Sequence, residues 1–454
     1  MAESKFELSL SDINALFKIK YEKLSENVYN SANVLLGRVK KSYNFTGRKL
    51  QISIPQSFAG GVGSGKLPKA SAARYAAAEI EAKKLYAVVD IDRETIKASL
   101  SSEGAFVKAT KEVVQKGVES YMRNMSRILF SDGTGKIAQV KSGTSGITEG
   151  KNAEGTVVEQ DGSAVSNLPS GTSTAVVETK INLDPASFKE ADLEEKDLIN
   201  VVSGASISSS SVVKQSSGED VLLTIEEVDI NESAPSITIL GDVQSHFAAS
   251  DSIIMQGSLN KDPQGLKSTL LPNTGSGSLY TVKNGRRWSA EEIDMSASDR
   301  PASGARGITT DLLNEMMLAV KKKCGKSPNL IITSYKQYKA ILNMLESQKQ
   351  FNVNTRAGLK SKSGADISFS GVEFMSIDGA VGIFPERFVD DDRVYFLNDN
   401  HIHIYHRPDF GWFDDDGTVF LRKAGHDEYE ARYGGYLEVY VNPCFHGVIK
   451  NLDT

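Results

Sequence analysis

The chain has 454 residues, 40% of them hydrophobic and 24% charged, with a formal net charge of -6. That length predicts two or more domains, or one domain with large insertions. There is no run of 18 apolar residues and no basic start followed by an apolar core; the reading is therefore no transmembrane helix, no membrane association, no signal peptide, and a soluble protein made in a cytoplasm.

Phosphate neutralisation supplies most of the affinity of a DNA-binding surface, and an acidic chain argues against such binding. The charge is uneven, however. Residues 1–50 carry nine Lys/Arg against five Asp/Glu, a net of +4, which leaves -10 for the remainder. A basic arm on an acidic body suits an acidic neighbour, and equally suits a solvated helix face. Cys324 and Cys444 provide no disulfide framework and no C-x-x-C motif, so they read as two indifferent or buried thiols.

In chain order, residues 9–41 read as a helix capped by Ser9 or Ser11, with Leu16, Ile19, Leu24, Val28, Val34 and Leu35 at roughly helical spacing. A strand is predicted at Leu50–Pro55. The segment 60–78 carries glycines at 60, 61, 63 and 65 and is pliable. A returning strand near Ala82–Ile91 would complete a long hairpin that has no cover of its own and needs a neighbouring subunit. Residues 104–130 give the best helix, with Phe106, Val113, Gly117, Tyr121, Met125 and Ile128 on one stripe and D-G-T-G at 132–135 to stop it. Its length would be about 40 Å.

Residues 141–178 are rich in Gly, Ser and Thr and read as loop or weak strands. Short strands follow at Val221–Ile225, Ile237–Leu240 and Ile253–Met255, as in an inserted β domain. Residues 272–306 are mostly polar. Asp311–Lys323 reads as a helix capped by Thr310, Leu330–Ile332 as a buried strand, and Ser334–Gln337 as a capping box opening a helix with Tyr338, Ile341, Leu342 and Leu345 on its apolar face. The rest is strands, with Val394/Phe396, Ile402/Ile404 and Leu437/Val439/Val441 alternating with polar residues.

Candidate chemistry is sparse. His401, His403, His406, His426 and His446 crowd the last 54 residues, and H-I-H at 401–403 would place two imidazoles on one strand face, as some metal sites do, with Asp414–Asp416 as possible oxygen ligands. The spacing fits no closed zinc motif, so a polar strand face with Ile402 and Ile404 turned inward is the better reading. G-G-V-G-S-G-K at 60–66 fails as a phosphate loop, because Leu67 stands where a magnesium-binding hydroxyl belongs. The acidic runs Asp390–Asp392 and Asp414–Asp416 read as solvated loops. No catalytic residue, cofactor-binding residue or metal ligand is assigned, and no cofactor is expected.

The order of elements and four local words resemble the major capsid proteins of tailed phages, with their Hong Kong 97-type α+β fold. The words are R-I-L-F-S-D-G-T-G at 127–135, D-P-Q-G-L at 262–266, S-P-N-L-I-I-T-S-Y-K-Q-Y at 327–338 and R-Y-G-G-Y-L-E-V-Y-V-N-P at 432–443. The resemblance implies an N-terminal arm (1–47), an E-loop hairpin (48–92), the spine helix with part of the P-domain (93–140), the start of the A-domain with an inserted β-rich domain (141–270), the A-domain (271–400) and closing P-domain strands (401–454). It implies a non-enzymatic virion subunit that self-assembles into hexamers and pentamers around double-stranded DNA. Portal and scaffold proteins, and a possible decoration protein, would be its partners. Inter-subunit contacts are then expected from the hairpin tip (Gly60, Gly61, Gly63, Gly65, Lys66, Lys69) and from the arm (Lys18, Lys20, Lys23, Arg38, Lys40, Lys41). An encapsulin-like bacterial compartment shares this fold, and a metal-dependent hydrolase built on the C-terminal histidines is the reading from another class. Metal analysis of the purified protein separates the last: no stoichiometric zinc is expected, and tight metal at one per chain, with loss of fold on chelation, would contradict the strand-face reading.

Overall fold

The structure, a computed structural model, describes residues 33–57, 74–92, 103–142, 147–148, 178–346, 358–360, 366–368, 372–407, 411–413, 421–425 and 428–453, with short internal breaks. The chain forms two compact units, residues 1–130 with 263–454, and residues 131–262. Among the described residues, no helix is long and apolar enough to cross a membrane.

The described part of the predicted first helix is short. Asn33 Oδ1 accepts from the Leu36 N–H at 3.1 Å and caps α1, Val34–Arg38. Val39 is already extended, and β1, Lys40–Ser42, runs parallel to residues 403–405. The helix expected to reach residue 41 therefore ends at 38, because pairing with the C-terminal sheet claims the next residues. Its predicted start at Ser9 or Ser11 lies outside the described residues.

The hairpin also needs correction. β2, Lys49–Ser57, pairs not with the 82–91 segment but with β3, Arg74–Glu81. Leu50, Ile52 and Ile54 stand opposite Ile80, Ala78 and Ala76, which puts the apolar side chains on one face. After Ala82 the chain turns away from the hairpin as β4, Lys83–Asp92.

The long helix, α2, spans Glu103–Phe130, 28 residues, or about 42 Å. The side chains of Phe106 and Val113 lie outside the described residues. From Val118 onward the stripe is as expected: Tyr121, Met125 and Ile128 are buried. Gly117 meets β4 directly, for a Cβ there would lie 2.5 Å from Val89 Cγ2.

Unit 131–262 is one seven-stranded sheet. Its strands are β5 (Lys136–Gln139), β6 (Ile147–Thr148), β7 (Glu178–Asn182), β8 (Leu198–Val202), β9 (Leu222–Asp229), β10 (Ser236–Leu240) and β11 (Ser252–Met255), in the spatial order β5-β11-β8-β9-β10-β7-β6. β9 shows the period-two code plainly: Leu223 and Ile225 are buried, while Leu222 and Thr224 are exposed. With Ile137, Ile199, Val201, Ile237, Ile239 and Ile253 they form a continuous apolar core. β5 lies ahead of residue 141, where the sequence places the start of the insertion.

The remainder returns to the first unit. A one-turn helix, α3 (Leu266–Thr269), precedes two short strands, β12 (Ser278–Leu279) and β13 (Val282–Lys283), and then β14 (Glu291–Asp294). α4 spans Thr310–Cys324; its cap is Thr309, not Thr310, with Oγ1 accepting from Leu312 N at 3.2 Å, and Gly325 closes it at φ +74°. β15 (Leu330–Thr333) is buried on both faces. Ser334 Oγ caps α5 (Tyr335–Glu346) through Gln337 N. The predicted capping box stays half formed, because Gln337 Nε2 donates instead to the Asp391 and Asp453 carbonyls. Ile341 is buried and Tyr338 and Leu342 half-buried; the side chain of Leu345 lies outside what the structure describes.

β16 (Gly358–Lys360) and β17 (Asp366–Ser368) pair with each other. β18 (Val372–Ser376), β19 (Gly379–Pro385) and β20 (Val394–Leu397) follow. The last strands are β21 (Ile402–His406), β22 (Gly411–Trp412), β23 (Leu421–Arg422), β24 (Glu428–Val441) and β25 (Gly447–Lys450). One six-stranded sheet has the order β14-β25-β20-β15-β19-β18; the other runs β1-β21-β24-β22, with β23 and β4 also on β24. All of β20 is buried, so its expected alternation is replaced by a central strand covered on both faces. The acidic run Asp390–Asp392 is not simply solvated: Asp390 pairs with Lys267 (3.0 Å) and Arg393 (3.2 Å), Asp392 with Arg393 (3.3 Å), and Asp391 with Lys336 (3.0 Å).

β24 and β4 form the longest ladder, from Glu428 opposite Asp92 to Leu437 opposite Lys83. It tolerates no side chain at Gly434, whose φ is +147° and whose Cβ would strike the Leu85 carbonyl oxygen. Gly434→Ala is expected to cost about 2 kcal/mol or more, read from the denaturant midpoint; an unchanged midpoint would contradict this register.

Candidate inter-subunit surface

The hairpin base is anchored. Ala78 and Ile80 are buried beside Phe45, Tyr280, Val282, Trp288 and Tyr440. Tyr280 has a positive φ of 51°, donates its hydroxyl to the Val439 carbonyl at 2.8 Å, and its own carbonyl accepts from Glu79 N at 2.9 Å. One residue thus ties the hairpin to the closing strand. The Trp288 indole N–H donates to the Leu279 carbonyl at 3.1 Å, which fixes the plate beneath.

Burial fades along the hairpin. On its apolar face Ile80 and Ala78 are 1% and 0% exposed, while Ile52, Ile54 and Ala76 are half-buried. The opposite face is polar and internally paired: Arg48 with Glu81 at 2.9 Å, Lys49 with Glu79 at 3.1 Å, and Gln51 donating to Glu79 at 3.1 Å. The hydrogen bonds from Lys49 and Arg48 hold the Glu79 and Glu81 carboxyls below their ordinary range. The expectation of a hairpin without cover of its own is therefore corrected at its base. The tip residues Gly60, Gly61, Gly63, Gly65, Lys66 and Lys69 lie outside the described residues.

The arm divides similarly. Lys18, Lys20 and Lys23 lie outside the described residues. Arg38 is engaged by its own chain: Nε donates to Asp399 Oδ2 at 3.1 Å, and Asp399 also accepts from Asn329 Nδ2 at 2.7 Å. Lys40 and Lys41 sit on β1, an edge strand, opposite His403 and Ile404, where lysines discourage uncontrolled edge pairing. Beyond them Tyr43 is 56% exposed and stacks on His406 at 5.6 Å.

The described C-terminal histidines pack against rings and backbone of their own chain. His401 is not on the strand but in a 3-10 turn, Asp399–His401, stacked on Phe445 at 3.6 Å. Ile402 and Ile404 point inward, fully buried, while His403 lies near the Tyr405 and Tyr440 rings. His446 is fully buried, and its Nδ1 accepts from Asn398 N at 3.1 Å. Burial holds His401 and His406 down to about 4 and His446 to about 3. Among the described residues, no group of three His, Cys, Asp or Glu could hold a metal. His426 and Asp414–Asp416 lie outside them.

Sequence reasoning missed Tyr280 and Glu438. Glu438, buried on β24, accepts from Gln264 N at 2.7 Å and Val439 N at 3.1 Å, and burial pushes its carboxyl up to about 8. The local words D-P-Q-G-L and Y-L-E-V-Y thus meet through one hydrogen bond. The alternation of Leu437, Val439 and Val441 assigns Glu438 to the polar face, so no local signal marked it as buried.

Residues 263–452 match the model of a family described as SU10 major capsid protein. The match spans less than half of the chain, and it likens that part to major capsid proteins, in keeping with the α+β architecture. No curated protein matches the sequence. The fold is similar to a chain of the cyanophage A-1(L) capsid asymmetric unit (TM-score 0.48, 9% identity, covering 95% of this chain and 93% of that one). It is also similar to the capsid of an empty GTA particle (0.42, 7%, 94% and 90%) and to an encapsulin complex from Synechococcus elongatus (0.38, 8%, 92% and 87%).

Glu438 yields a pH prediction. Its folded pKa of about 8 lies above its ordinary 4.5, so the folded state holds the extra proton, and stability present below 4.5 is lost as pH rises through 8. Glu438→Gln keeps an acceptor for Gln264 and removes the charge. Between pH 5 and pH 9 the parent melting temperature should fall several degrees further than the variant's; parallel curves would contradict the buried acid.

Proposed function

We propose that the chain builds hexamers and pentamers of a closed icosahedral shell around double-stranded DNA. In that shell the outer half of the β2–β3 hairpin lies on a neighbouring subunit. The observation that carries this reading is the fading burial from Ile80 and Ala78 to Ala76, with Ile52 and Ile54 opposite, along a single apolar stripe. An apolar face of that kind gains from cover, at roughly 25 cal/mol per Å² removed from water.

Contacts from a hairpin of one copy to the body of the next are heterologous, and such contacts close into rings. Weak individual contacts suffice, because effective concentration within a ring is high. The tip (Gly60–Lys69) and the lysines of the arm are the proposed contact residues, with the acidic body of a neighbour as their partner. In the capsid nomenclature the hairpin is the E-loop, α2 the spine helix, the sheet holding β24 the P-domain, and the sheet around β15 the A-domain. Scaffold and portal proteins, and a decoration protein on the outside, are the further partners of this proposal. No turnover of a small substrate is part of the role. An overall acidic chain suits a container that does not grip its DNA.

Co-expression with a scaffold, followed by sedimentation and electron microscopy, tests the proposal. Hollow particles tens of nanometres across are expected, and a chain lacking residues 60–69 should stay soluble while its particles fall apart at lower denaturant. A monomer or dimer under every condition would reject the shell. Cargo enzyme in place of nucleic acid inside native particles would favour the encapsulin-like compartment.

A further inference from the structure

The chain's only two cysteines, 120 positions apart, are brought to one spot. Cys324 ends α4, and Cys444 occupies the 3-10 turn Pro443–Phe445. Contacts bracket the pair on both sides. One turn before Cys324, Val320 and Met316 press on Gly447 so closely that a Cβ at Gly447 would lie 3.0 Å from Val320 Cγ2. Two residues after Cys324, the Lys326 ammonium sits over the Phe445 ring at 5.6 Å. Both thiols are free.

We propose that Cys324 and Cys444 form a modification site, a dithiol that small disulfides oxidise to an intrachain bond joining α4 to the 3-10 turn ahead of β25. Cys324 is half-exposed and Cys444 buried, so the first attack falls to Cys324. Its thiol lies against the Val320 and Lys326 carbonyls at 3.3 and 3.2 Å. Cys444 donates to the Cys324 sulfur, which holds the Cys324 thiol down to about 6 and pushes Cys444 up. The Lys323 ammonium, fixed by Glu291 (2.9 Å) and Ser289 (2.9 Å), adds positive charge beside both.

The chemistry balances with oxidised glutathione as the oxidant. The Cys324 thiolate attacks one glutathione sulfur, the S–S bond breaks, and one glutathione thiolate leaves and is protonated by solvent. Cys444 then loses its proton to solvent and attacks Cys324 Sγ, releasing the second glutathione thiolate. The chain loses two hydrogens and one glutathione disulfide becomes two thiols. The new bond closes a loop of about 120 residues, a length at which the unfolded chain loses much of its freedom.

Incubation of the full chain with oxidised glutathione, followed by intact-mass and non-reducing peptide mapping, reads the result. The expected product has lost two hydrogen masses, contains one cross-linked peptide pair carrying residues 324 and 444, and melts several degrees higher than the reduced chain. Cys444→Ser should stop at a single glutathione adduct on Cys324, and Cys324→Ser should react far more slowly. Two thiols still open to alkylation after long oxidation, or disulfide-linked dimers in place of the intrachain bond, would overturn the assignment.

Discussion

The antiparallel ladder between β4 and β24 holds a segment near the start of the chain against one near its end, and most of the architecture hangs on it. Ten consecutive residue pairs, from Glu428–Asp92 to Leu437–Lys83, carry the register. α2 packs onto this ladder through Gly117 and Val89 and through the Tyr121–Tyr433 ring pair at 5.3 Å. The hairpin β2–β3 leaves β4 after a single residue, Ala82. Its direction is therefore set by the ladder, and its base is pinned by Tyr280. A long reaching element on a fixed foundation is what a shell subunit needs, because a neighbour must find the hairpin in a defined place.

Electrostatics within the ladder sheet pull in two directions. Buried histidines, with pKa values of about 4 and 3, resist protonation, so their burial costs stability as pH falls below 6.5. Glu438 and Glu386, raised by burial to about 8 and 7, cost stability as pH rises. The two sets leave a window between about pH 4 and 7 in which these imidazoles and buried acids are mostly uncharged. Neither set forms a catalytic pair: His446 spends its Nδ1 on Asn398, and Glu438 spends its carboxylate on Gln264.

Much of this was legible where apolar periodicity is strong. The long helix α2, the buried strand Leu330–Thr333, and three of the seven strands of the 131–262 unit, β9, β10 and β11, follow from spacing alone. β3 was not legible, because Ala76, Ala77 and Ala78 have little β preference of their own. They become a strand through pairing with Ile52 and Ile54 and through burial beside Tyr280. The helix predicted to residue 41 failed for a related reason: β1 exists only because residues 403–405 lie beside it. H-I-H was misplaced by half, since the 3-10 turn ends at His401 and only His403 is on the strand. Of the candidate contacts, Arg38 was found engaged with Asp399 of its own chain, a pairing across 361 positions that no local pattern announces.

The central claim is that the outer hairpin is completed by a neighbouring copy, and amide hydrogen exchange in the free subunit and in assembled particles tests it most directly. Ordering a glycine-rich tip costs backbone entropy that only contact can offset. The account predicts slow exchange at Ile80 and the base in both states, and at residues 50–76 fast exchange in the free subunit turning slow in the particle. Equal protection of residues 50–76 in both states would contradict it.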